Sequence, residues 1–213
     1  QPGVFREGHG DNGRGERNYV HRFRARAGTR YVDPPGPDEL GLWLSVMQHY
    51  GLPTRLLDWS RSPLIAAYFA IETYIYESDR APTDAAIWVL RPHELNWLEF
   101  NEDFTPGLQA KRSYSMVEPA FRHNAEETQR VLAVMASEHD LRMFVQQGCF
   151  TIHSDRTPLN LRQGNSQYLS KIVIPAQVVK SFADEIDLCG FRKGDIYPDL
   201  GSLATELRVR KGH

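Results

Sequence analysis

The chain has 213 residues, of which 41 % are hydrophobic and 24 % charged, with a net charge of −2. A chain of this length supports one domain with embellishments, spanning residues 1–213, and buries enough surface to fold without disulfides or a structural metal. Near-neutrality excludes a wholesale nucleic-acid binder, and no apolar run approaches the ~18 residues a membrane helix needs.

In chain order, Gly3–Phe5 reads as a short strand ending at Arg6, and the Gly-rich stretch Glu7–Gly15 as a loop. Glu16–Ala27 places Tyr19, Val20, Phe23 and Ala27 at helical spacing, with arginines on the other face. Asp38–Tyr50 is a helix with an apolar stripe, capped by Asp38 and stopped by Gly51. Pro53 keeps the chain extended into a short buried strand, Arg55–Asp58. Ser62 then caps a helix over Pro63–Tyr76, with proline at its first position.

Ala85–Leu90 is an apolar run of buried-strand type, Pro92–Leu98 a short helix and Asn101–Val117 irregular. Glu126–Met135 and Ser137–Gln147 read as consecutive helices, and Cys149–His153 and Tyr168–Ile174 as strands. Pro175–Leu188 and Pro198–Val209 read as closing helices. Helices and strands alternate without a regular βαβ rhythm, so the expected class is α+β, with a split, mostly antiparallel sheet flanked by helices.

Cys149 and Cys189 form no CxxC pair, so they are expected to be free thiols in a reducing, cytoplasmic setting, and no metal is expected. Arginine accounts for most of the basic residues, and seven lie within residues 1–30 (6, 14, 17, 22, 24, 26 and 30). A guanidinium suits bidentate contact with phosphate or carboxylate, although such a run also serves as a solvated face.

The most informative segment runs from Gln48 to Ala70, QHYGLPTRLLDWSRSPLIAAYFA. Here Arg55 and Asp58 bracket two leucines inside a core-like run, and a buried charge needs a partner. Two readings stand. The polar residues fix the strand-to-helix turn, or Gln48, His49, Thr54, Arg55, Asp58, Trp59 and Ser60 offer hydrogen bonds and stacking to a ligand. Tyr68, on the apolar helix, reads as core or as a stacking residue.

This segment closely resembles the hallmark of the FRG domain family. The family's N-terminal Phe-Arg-Gly is approached by Phe5-Arg6-Glu7-Gly8, with Glu7 in the third place. Gln146–His153 and Ile196–Ala204 are also similar to family elements. The resemblance implies a bacterial defence or toxin setting.

A weaker resemblance is to ADP-ribosyltransferase-like folds, in which Arg6, Thr54–Ser62 and Gln147 fill three ordered places. It implies that Arg6 holds the NAD diphosphate or ribose, that the middle turn frames the nicotinamide ribose, and that Gln147 stands where a glutamate is usual. A neutral Gln orients the ribose but supplies no negative charge to an oxocarbenium-like transition state. Glu138 and Glu206 are candidate substitutes for that charge. The expected activity is cleavage of NAD, as substrate, with ADP-ribose passing to a nucleic-acid or protein acceptor or to water, and with an antitoxin or regulatory partner. The alternatives are a nucleic-acid or nucleotide-binding module using the Arg-rich 14–30 helix, and a protein-interaction domain whose central segment is only core.

Overall fold

The computed structural model describes residues 1–6, 14–77, 81–137 and 140–209. Most of the expected Glu7–Gly15 loop, and Glu138, lie outside the described residues.

The first ordered element corrects the expectation of a strand: Gly3–Phe5 is a turn of 3-10 helix. Helix α1 (Arg14–Ala27) follows, turning Glu16, Val20 and Ala27 inward. Helix α2 (Leu40–His49) buries Leu40, Leu42, Trp43, Leu44 and Met47, and ends where Gly51 takes a left-handed φ of +80° that glycine adopts without steric cost. Asp38 does not cap it. Glu39 stands at the N-cap, and its carboxylate accepts instead from the Gly36 N–H at 2.7 Å.

Strand β1 (Leu56–Ser60) begins one residue past Arg55, and its Asp58 is exposed. Helix α3 (Pro63–Tyr76) has the expected cap: the Ser62 side chain accepts from the Ile65 N–H, with Pro63 at the first position.

Strand β2 (Ala85–Leu90) is only half-buried, with Trp88 and Val89 exposed, because it pairs with a single partner strand. Helix α4 (Pro92–Phe100) runs two residues further than its periodicity predicts. The supposed irregular stretch contains α5 (Lys111–Val117).

The largest correction is at residues 126–135. No helix forms there; Val131–Met135 is strand β3. Its run VLAVM satisfies apolar spacing of either kind, and antiparallel pairing with β4 (Gly148–His153) in register Val131↔His153 decides the matter. The helix expected over Ser137–Gln147 shortens to α6 (Leu141–Val145), capped by Asp140. Strand β5 (Leu169–Ile174), α7 (Val179–Leu188), a single turn α8 (Lys193–Ile196) and α9 (Leu200–Val209) complete the described chain.

The architecture is α+β, with two small sheets flanked by helices, one ordered β1-β4-β3 and the other an antiparallel β2-β5 pair. The chain divides into two compact units. The first comprises Gln1–Asp58, Arg91–Ser137 and Cys149–Tyr168 and holds α1, α2, α4, α5 and most of the three-stranded sheet. The second comprises Trp59–Leu90, Glu138–Gly148 and Leu169–His213 and holds α3, the β2-β5 pair and α6 to α9. Its core is Ile65, Ala67, Tyr68, Ile71, Ile174, Val179, Ala183, Ile186 and Ile196.

Two side chains and a backbone carbonyl close the β3 edge of the larger sheet. The outward N–H groups of β3 are taken by Glu99 at Val131 (3.3 Å), by Asn96 at Ala133 (2.8 Å) and by the Pro106 carbonyl at Met135 (2.9 Å). Asn96 also donates to the Ala133 and Phe104 carbonyls, so α4 seals a strand edge that would otherwise invite pairing. Both cysteines are free thiols. Among the described residues no helix is long and apolar enough to cross a membrane, and no group of three or more His, Cys, Asp or Glu is placed to hold a metal ion.

Candidate functional site

The segment Gln48–Ser62 links α2, β1 and α3, and its polar side chains form two distinct networks. In the first unit, the Gln48 amide nitrogen donates to the Leu56 carbonyl (3.3 Å) and to Asp58 Oδ2 (2.8 Å). Its amide oxygen accepts from the Thr54 hydroxyl at 2.6 Å, and that hydroxyl oxygen accepts from the Leu56 N–H at 3.1 Å. At Leu56 both backbone groups on the outer edge of β1 are thereby satisfied, the carbonyl by Gln48 and the N–H by Thr54. His49 packs edge-on to Tyr50, 4.9 Å between ring centres.

Arg55 is wholly buried and held by Glu16, itself 1 % exposed. One Glu16 oxygen accepts from the Arg55 backbone N–H at 2.9 Å, and the other from Nε and Nη2 at 3.0 and 2.8 Å. The Met116 carbonyl and Glu127 take further guanidinium bonds at 3.2 and 3.4 Å. Burial pushes the guanidinium pKa down, but the charges and hydrogen bonds of Glu16 and Glu127 together outweigh it, and the net shift is upward. A buried, multiply bonded Arg of this kind is an internal framework.

Beside it, His153 is buried on β4, its Nε2 2.9 Å from the Thr151 hydroxyl. Burial, with the positive charges of Arg162 and Arg55 adding to it, lowers its pKa to about 3, so the ring is neutral at physiological pH.

The second network joins the turn after β1 to the residues entering β4, within the second unit. The Ser60 hydroxyl donates to the Gln146 carbonyl at 2.8 Å and accepts from the Ser62 N–H at 3.0 Å. The Arg61 N–H donates to the Gln147 carbonyl at 3.0 Å. The side chain of Gln146 is engaged at the Ile196 carbonyl, whereas that of Gln147 is exposed. Gln147 has φ +47°, a left-handed backbone that favours glycine.

Trp59 is half-buried, and Arg6 is exposed, with its Nε donating to the Gln1 carbonyl at 3.0 Å. Tyr68 is core, fully buried on α3, where burial and the nearby Glu72 push its hydroxyl pKa far up. Glu206 is also buried, and its carboxylate accepts from the Gly194 N–H at 2.8 Å, fastening α9 to α8.

The predicted residues thus separate into Gln48, Thr54 and Asp58 on one edge, Arg55 in the interior, and Ser60 with Gln147 at a second turn. Sequence reasoning missed Glu16, whose single acidic position among the arginines of α1 was the available signal.

The FRG domain family model matches residues 1–79, bearing out the resemblance over that stretch. The elements around Gln147 and Ile196 lie beyond the matched residues. No curated protein and no solved structure matches the chain.

Proposed function

We propose that the protein is an NAD-consuming, ADP-ribosyltransferase-like effector. One observation carries the reading: the turn after β1 and the residue entering β4 are held together by the Ser60–Gln146 and Arg61–Gln147 hydrogen bonds. These are two of the three places that such folds use. At Gln147 a side chain is kept against a backbone preference for glycine, and it is exposed rather than packed.

In the proposed reaction the bond between the ribose anomeric carbon and the nicotinamide nitrogen breaks. Nicotinamide leaves with the electron pair, and ADP-ribose passes to a nucleophilic oxygen or nitrogen of a nucleic acid or protein, or to water. Gln147 orients the ribose by hydrogen bonding and leaves the developing positive charge to other groups. Arg6 is assigned to the diphosphate, where an exposed planar donor fork suits paired oxygens. Ser60 and Trp59, in the same unit as Gln147, are assigned to nucleotide binding. Arg55 contributes by holding β1 in place.

The test is incubation with NAD and chromatographic detection of nicotinamide, with and without protein and RNA acceptors. The expected result is release that Arg6→Ala and Gln147→Ala each abolish at unchanged melting temperature. No turnover with any acceptor, together with no NAD binding by calorimetry, refutes the proposal.

A further inference from the structure

Four arginines of α1, Arg17, Arg22, Arg24 and Arg26, divide into two sets. Arg17 and Arg24 pack inward: Arg17 donates to the Pro119 carbonyl, and Arg24 donates to the Pro37 carbonyl between the rings of Trp43 and Phe121, 5.2 and 5.6 Å from their centres. Arg22 and Arg26 do neither. Both are exposed, and among the described residues neither guanidinium forms an ion pair. They stand one turn apart on α1, a rise of about 6 Å. Arg30 extends the row beyond the helix end, where its Nη1 donates to the Arg26 carbonyl and the Thr29 hydroxyl at 3.0 Å each.

An aromatic ledge borders this row. Phe23 lies about 100° from Arg22 and about 60° from Arg26 around the helix, with both arginines on the same side of it. The Phe23 ring touches Tyr50 at 6.5 Å, and Tyr50 also meets Tyr31 and His49 at 6.1 and 4.9 Å. Tyr50 is nevertheless 59 % exposed. The one acid of α1, Glu16, is buried against Arg55 and neutralises nothing on this face. The row therefore keeps a local positive charge that the net charge of −2 conceals.

We infer that this face of the first unit binds single-stranded nucleic acid, with Arg22, Arg26 and Arg30 on successive phosphates and Tyr50 stacking on a base. Unpaired guanidiniums in a row suit a phosphate backbone, and an exposed ring beside them suits unpaired bases, which a duplex does not present. The inference does not rest on NAD consumption, since every residue in it lies outside the Ser60–Gln147 network.

The experiment is fluorescence anisotropy of the full chain with labelled oligothymidylate and oligouridylate, across a salt series. The expected result is binding that weakens linearly in log–log salt. The double variant Arg22→Gln/Arg26→Gln should flatten the slope by about 1.4, at ~0.7 per single-strand phosphate. Tyr50→Ala should weaken binding about tenfold at an unchanged slope. Circular dichroism should show each variant folded; if the double variant is not, the single Arg22→Gln and Arg26→Gln variants replace it, each flattening the slope by about 0.7. Absent binding at low salt, unaltered binding in the arginine variants, tighter binding to duplex, or equal binding to polyglutamate would each overturn the inference. Because nicotinamide release is not the readout, failure here leaves the NAD reading standing, and the reverse also holds.

Discussion

Removing Glu16 should destabilise the first unit more than almost any other single change. The Glu16→Ala variant strands the Arg55 guanidinium, wholly buried, and deletes three hydrogen bonds of 2.8 to 3.0 Å. What remains is the Met116 carbonyl at 3.2 Å and Glu127 at 3.4 Å, the latter 39 % exposed and a weak substitute. Leaving a buried charge without its partner costs about 3–5 kcal/mol. We expect a loss near 4 kcal/mol, a large share of the roughly 5–15 kcal/mol that holds a typical domain together. Urea unfolding followed by circular dichroism measures it.

A double-mutant cycle with Arg55→Met and Glu16→Leu sharpens the point. Replacing the pair with apolar groups removes both charges, so the double variant should be more stable than Glu16→Ala alone, with a coupling energy above about 1 kcal/mol. A Glu16→Ala cost below about 1 kcal/mol, or a double variant as damaged as the sum of the singles, would refute the argument that Arg55 is held as an internal framework.

Other outcomes follow from the same structure. Gln147→Gly should stabilise the protein by about 0.5–1 kcal/mol by relieving the +47° φ, while abolishing nicotinamide release; a stability loss would contradict the backbone argument. Arg6→Ala, at an exposed position, should change stability by less than about 0.5 kcal/mol while abolishing the same activity. Asn96→Ala leaves the Ala133 N–H, the Ala133 carbonyl and the Phe104 carbonyl without their side-chain partner, and should cost about 3 kcal/mol in thermal or urea unfolding.

His153 gives a pH dependence of defined sign. Its pKa of about 3 lies below the ordinary histidine value, so the unfolded chain takes up a proton first as pH falls. Stability is therefore full above about pH 6.5 and declines toward pH 3 by up to ~1.4 kcal/mol per unit, and His153→Phe should remove that slope.

Local signals account for what was legible beforehand. The Ser62-Pro63 cap, the α2 stripe and its Gly51 stop depend on neighbours within a turn, and each element formed close to its predicted place. The central segment was also recognisable as a unit, because a run of polar residues within a core-like stretch is conspicuous in the chain itself. Residues 131–135 were not legible. An apolar pentad carries no period that separates helix from strand, and its fate depended on β4, which follows more than ten residues later. The N-terminal Gly3–Phe5 turn is similar: three residues are too few to carry a pattern, and the Val4 N–H bond to the Thr54 carbonyl anchors them.

The sequence by itself determined the α+β class, the similarity of the first 79 residues to the FRG domain family and which segment is unusual, because these follow from composition, spacing and contiguous motif. Only the tertiary structure decided what individual side chains do. It buried Arg55 against Glu16, 39 positions away, and it spent Gln48 and Thr54 on a strand edge. It also left Arg22, Arg26 and Tyr50 facing solvent. The physical reason is that a charge becomes framework or site according to the partner that reaches it, and distant partners meet only when the chain folds.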